Sequence, residues 1–229
     1  MGGAALGAGV SEGAAAVVAG SVGILGGTFD PIHMAHLALA QEAAESLGLE
    51  RVLFVPAGSP PHKPGTPITP GADRLAMVEL AIAGNDRFEA CRLELDREGP
   101  SLTVDTLATL SSEQRESRGG APLTLILSTD AFLGLMSWHE PRRILELARL
   151  AVAPRDGYPE AGPAFLAAAF PDLTDRAVFL DGPRIRLSAT SLRQRAAAGR
   201  SLRYLVPDAV AAYIGDHGLY RNPRRNDQT

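Results

Sequence analysis

The sequence predicts an α/β fold: one doubly wound parallel sheet with helices on both faces. Three observations carry that reading. Apolar runs of strand length, at residues 22–25, 51–56, 123–127 and 150–153, alternate with longer stretches of helix formers. The first two runs are separated by the length of one helix, the spacing of a βαβ unit with parallel strands and a right-handed crossover. The first run ends on two adjacent glycines, Gly26 and Gly27, followed by Asp30-Pro31 and a helical pattern. Paired glycines after a strand give a tight turn whose backbone can approach a ligand closely.

With 229 residues, the chain is expected to form one domain over residues 21–221, with a flexible Gly/Ala-rich extension at 1–20 and a flexible tail at 222–229. It is 45% hydrophobic and 21% charged, with a net charge of −4, so nothing favours a nucleic-acid or membrane partner. No basic residue precedes Arg51, which argues against a secretory or transit leader. Cys91 is the only cysteine, which excludes disulfide frameworks and suits a reducing, cytoplasmic compartment.

Taken in order, residues 37–47 carry helix formers with their apolar positions on one stripe. His33 and His36, three apart at the start of that pattern, can face one spot. The unpaired N–H groups of a helix start, with two imidazoles beside them, suit a polyphosphate. After the strand at 51–56, residues 57–71 hold five prolines and read as a stiff loop carrying His62 and Lys63. That loop leaves the carboxyl end of a strand, where open α/β sheets place their ligands. A helix at 72–83, with Arg74 in its first turn, and a strand at 88–95 follow. Residues 99–107 turn into another helix, with Ser101 or Thr103 as N-cap and free N–H groups that would also suit a carboxylate.

Asp130, just past the strand at 123–127, is placed either to meet ribose hydroxyls or a cation, or to cap a helix. Trp138 either packs in the core or stacks on an aromatic ligand. A helix at 144–147, the strand at 150–153, a helix at 158–170 and a strand at 177–180 come next. Ser188 is the expected N-cap of the following helix; Ser188, Thr190, Ser191 and Arg193 make either ordinary capping or a second anion site. The last helix, 207–216, is expected to start with Pro207 at its first position. No Walker A motif exists, because the only lysine, Lys63, follows His62 and not glycine. Phosphate chemistry therefore falls to the first glycine turn.

The string Gly-Gly-Thr-Phe-Asp-Pro-x-His-x-x-His at 26–36 resembles the signature of the nucleotidyltransferase superfamily with its (H/T)-x-G-H motif, Ala35 standing where glycine is usual. Further stretches resemble the bacterial nicotinate-nucleotide adenylyltransferases: Phe-Val-Pro-Ala-Gly-Ser-Pro-Pro-His-Lys at 54–63, Gly-Pro-Ser-Leu-Thr-Val-Asp-Thr-Leu at 99–107, Leu-Ser-Ala-Thr-Ser-Leu-Arg at 187–193 and Tyr-Leu-Val-Pro at 204–207. Ser128 and Thr129 replace the Gly-Ala of that family's G-A-D, and Ala189 replaces one serine of its I-S-S-T-x-I-R.

The resemblance implies a Rossmann-like domain that transfers AMP from ATP to nicotinate mononucleotide, with Mg²⁺ accompanying the ATP. It implies His33, His36 and Arg193 as catalytic groups. Gly26, Gly27, Thr28, Phe29, Asp130, Ser188 and Thr190 join them around ATP. Asp30, His62, Lys63, Thr103 and Trp138 are implied on the acceptor side, with Trp138 stacking on the pyridine ring. Two rivals remain: another acceptor within the superfamily, or a nucleotide-binding regulator without catalysis.

Overall fold

A computed structural model describes residues 18–60, 67–118, 120, 122–159, 162–182 and 184–221. His62, Lys63, residues 1–17 of the expected extension and the tail 222–229 lie outside the described residues. Six strands are described: β1 (Val18–Gly27), β2 (Leu49–Pro56), β3 (Phe88–Ala90), β4 (Leu123–Ser128), β5 (Ala148–Ala153) and β6 (Ala177–Phe179). They form one sheet in the order β3-β2-β1-β4-β5-β6, and every neighbouring pair is parallel.

Side-chain alternation along the strands explains the two helical layers. Val22 and Ile24 of β1, with Leu53 and Val55 of β2, face one apolar cluster. Leu25 of β1, with Val52 and Phe54 of β2, faces the other. The first cluster is covered by α4 (Thr103–Arg118), α5 (Thr129–Leu133), α6 (Pro141–Leu147) and α7 (Pro163–Ala169), through Leu107, Phe132, Ile144 and Leu166. The second is covered by α1 (Met34–Ser46), α2 (Gly71–Ile82), α8 (Ala189–Ala197) and α9 (Asp208–Asp216), through Ala40, Met77, Leu192 and Val210. Gly23 in β1 lets this second layer close: a Cβ there would lie 2.8 Å from Leu49 Cδ1 and 3.0 Å from Ile126 Cδ1.

Several expectations shift. The run at 88–95 is not one strand: β3 stops at Ala90, and a single helical turn follows, α3 (Leu93–Asp96). The helix expected at 158–170 is only α7, started by Gly162 and Pro163. Val18–Gly20 belong to β1 and not to an extension. Pro207 is the N-cap of α9 and not its first residue. Ser101 accepts hydrogen bonds from the Gly58 and Ser59 N–H groups at 2.8 and 3.1 Å, so its hydroxyl ties down the loop after β2. Cys91 lies one residue past β3, and burial raises its thiol pKa, so it is a poor nucleophile.

Candidate active site

The strand order reverses at β1 and β4, where the first half of the sheet meets the second. Open α/β sheets bind ligands in the crevice beyond the carboxyl ends of such strands. A cleft of about 410 Å³ lies there, lined by the glycine turn, α1, the ends of β4 and β5 and the start of α8. A pocket of about 180 Å³ lies on the other side of the turn, and Thr103, Thr106 and Trp138 help line it. Gly26, Thr28 and Trp138 line both cavities, so the two meet along the turn. A Cβ on Gly26 would meet nothing within 4 Å, so this backbone faces open space.

His33 caps α1. The His33 and His36 rings stack, with centroids 3.7 Å apart and planes 15° from parallel. Phe29 meets His36 edge-on at 5.1 Å, its backbone held in the left-handed region at φ 49°. The Phe29 ring is buried, and Phe29 lines the cleft beside the His36 ring. His36 Nδ1 accepts from the His33 N–H at 3.3 Å, which assigns the ring hydrogen of neutral His36 to Nε2. His33 Nδ1 is buried with no partner among the described residues. Burial, aided by the charge of Arg155, lowers the His33 pKa to about 4. Burial, then His33, then Arg155 lower that of His36. Both imidazoles are therefore neutral at pH 7 and act as hydrogen-bonding groups, not as cations.

Arg193 brings a cation to the same turn. Its Nη1 donates to the Asp30 carbonyl at 2.7 Å and its Nη2 to Thr190 Oγ1 at 3.3 Å. Ser188 is the N-cap of α8, and its Oγ accepts from the Ser191 N–H at 3.2 Å. The structure thus brings the two helix starts, α1 and α8, to one cleft.

Asp30, expected against the acceptor, has its carboxylate committed inside the protein. It accepts from the Tyr220 hydroxyl at 2.7 Å and the Thr69 N–H at 3.4 Å, and only 3% of it is exposed. Asp130 lies in α5 and is ion-paired with Arg155.

Two arginines that bond to residues of the site were missed in the sequence. Arg155 follows β5, at the same carboxyl edge that drew attention to Asp130, so the signal was present. Arg74 was placed on a helix start, yet it is 2% exposed and donates to the carbonyls of Thr28 and Thr69, each at 2.8 Å. Nothing in the local pattern marked its burial.

A parallel sheet with stacked histidines and an arginine at its switch-point turn, beside a two-part cleft, defines a nucleotidyltransferase-type site, and a cytidylyltransferase-like family model matches residues 24–195. The chain is 50% identical over 200 residues to a probable nicotinate-nucleotide adenylyltransferase of Roseiflexus sp. strain RS-1, covering 87% of this chain and 98% of that one. A protein of the same description from Thermomicrobium roseum is 47% identical, with coverage of 87% and 91%. The chain therefore belongs to the nicotinate-nucleotide adenylyltransferase family.

The fold is also that of the Plasmodium falciparum nicotinic acid mononucleotide adenylyltransferase, solved in complexes with APC and with NaAD. Each superposes with a TM-score of 0.70, at 16% and 17% identity. The likeness covers 87% of this chain and 96% and 97% of those chains.

Proposed function

We propose that the protein transfers the AMP group of ATP to nicotinate mononucleotide, giving deamido-NAD and pyrophosphate. The observation that carries this reading is the shared wall at Gly26, Thr28 and Trp138. It lets two nucleotides lie end to end with their phosphates at the histidine pair. ATP would occupy the larger cleft, with its triphosphate between the starts of α1 and α8. The acceptor would occupy the pocket at Trp138 and Thr103, where the free N–H groups opening α4 suit a carboxylate.

A phosphate oxygen of the acceptor attacks the α-phosphorus of ATP, and the bond from that phosphorus to the β-phosphate bridging oxygen breaks. The attacking oxygen is already ionised, so no general base is needed. Positioning and charge stabilisation carry the reaction. His33 and His36 offer neutral hydrogen-bonding groups to the α-phosphate, and Arg193 offers a fixed cation. Among the described residues, no cluster of three or more His, Cys, Asp or Glu could hold a metal ion. Mg²⁺ would enter with the triphosphate, as MgATP, held mainly by phosphate oxygens and water.

Pyrophosphate release from the purified chain, with ATP and Mg²⁺ and either nicotinate or nicotinamide mononucleotide, tests the reading. Fast release with the acid and slow release with the amide is the expected result. Release with neither acceptor would overturn it. Trp138→Ala is expected to raise KM for nicotinate mononucleotide about tenfold more than KM for ATP, the loss of one aromatic stack. Equal changes in both values would remove the tryptophan from the acceptor pocket.

A further inference from the structure

The cleft contains a second cation to which the reaction above assigns no task. Arg155 stands two residues beyond β5, and its Nη1 donates to both carboxylate oxygens of Asp130, at 3.0 and 2.9 Å. Asp130 also accepts from the Ser128 hydroxyl at 2.6 Å. Arg155 lines the cleft with Asp130 behind it, and the two side chains are 37% and 28% exposed. A guanidinium has five N–H donors. Among the described residues, only Nη1 of Arg155 makes a hydrogen bond, leaving Nε and Nη2 to face another group. Arg155 lines the main cleft and also an adjoining pocket of about 230 Å³. It is close enough for its charge to act on both His33 and His36.

Asp130 is the carboxylate expected to meet a ribose, yet in the free protein the Arg155 guanidinium sits on both of its oxygens and the Ser128 hydroxyl on one. An exposed ion pair contributes little to stability. A polyphosphate is a stronger bidentate acceptor for a guanidinium than a carboxylate is.

We propose that Arg155 and Asp130 are an exchange pair: the triphosphate takes the guanidinium away from Asp130, and the freed carboxylate accepts from the ribose hydroxyls. Phosphate and sugar are then recognised together, because the carboxylate is a stronger acceptor once the arginine has turned from it to the phosphates. The proposal deepens the reading of this cleft as the ATP site and rests on it.

Binding of ATP and of inorganic tripolyphosphate, measured by calorimetry on the full chain, tests it. Asp130→Asn releases Arg155 without supplying a carboxylate for ribose. Tripolyphosphate is then expected to bind about threefold tighter while ATP binds no better than to the wild type. Arg155→Met is expected to weaken tripolyphosphate about tenfold, the loss of charge-assisted hydrogen bonds. In the double variant the gain from Asp130→Asn should vanish.

Persistence of that gain without Arg155 would show simple removal of negative charge and overturn the exchange. Unchanged tripolyphosphate binding in Asp130→Asn, or equal weakening of both ligands in either variant, would overturn it as well. Asp130→Ser serves the same comparison if the asparagine variant does not fold. A wild-type chain that binds neither ligand would overturn the ATP reading and the exchange together. Binding of both without the predicted changes would overturn the exchange alone.

Discussion

His36→Ala is expected to lower kcat for AMP transfer by about a hundredfold, the scale of losing one preorganised donor to a developing oxyanion. The effect should fall on kcat because the imidazole acts where charge builds up during transfer. Its preorganisation is visible on three sides. The His33 ring stacks on it at 3.7 Å, Phe29 meets it edge-on, and the His33 N–H occupies its Nδ1. Nε2 therefore keeps its hydrogen, and no rotation or proton transfer is needed when the phosphate arrives. Neutrality matters too: burial, then His33 and Arg155, lower the pKa, so the ring donates a hydrogen bond and does not titrate near pH 7. Steady-state pyrophosphate release checks the outcome, and an unchanged kcat would remove His36 from the catalytic groups.

The parts of this site that were legible in the sequence are those that local chemistry fixes. β1, β2, β4 and β5 are buried on both faces and so read as apolar runs. The paired glycines, the His33/His36 spacing and the Ser188 cap are short-range signals, and the structure places all three at one cleft. The parts that were not legible depend on distant partners. Residues 88–95 alternate like a strand, yet Glu94 turns inward to accept the Thr106 hydroxyl at 2.7 Å, and the chain coils over 93–96. Val18–Gly20 look like featureless linker. They join β1 because Gly20 bonds to Glu50 and Gln114, residues far along the chain. Arg74 belongs to the same group. A charged residue in the first turn of a helix is ordinarily solvated, and only the packing of α2 against the glycine turn buries it.

Arg74→Met should therefore have the largest effect on stability, about 3 kcal/mol, the scale of leaving two carbonyls without their donor and weakening the compensation of a buried charge. Asp30 is that charge. Its carboxylate is 3% exposed, and of its neighbours Tyr220 and Thr69 bring neutral donors only. Arg193 is 4.0 Å from its Oδ2 and is directed to its carbonyl. The Arg74 guanidinium, fixed by the Thr28 and Thr69 carbonyls, adds a buried positive charge to that of Arg193, and Asp30 in turn raises the arginine pKa against the effect of burial.

Urea denaturation of the variant measures the loss, and a change below about 0.5 kcal/mol would sink the assignment. Asp30→Asn on the Arg74→Met background should recover part of it, because the buried negative charge is then gone; a strictly additive cycle would show that the two residues act apart. The same variant should lose kcat in its folded fraction. Arg74 holds Thr28, Asp30 holds Arg193, and both Thr28 and Asp30 line the cleft where the phosphates would react. The network that makes the turn stable is thus the one that aims its arginine, and stability and rate should fall together when it is broken.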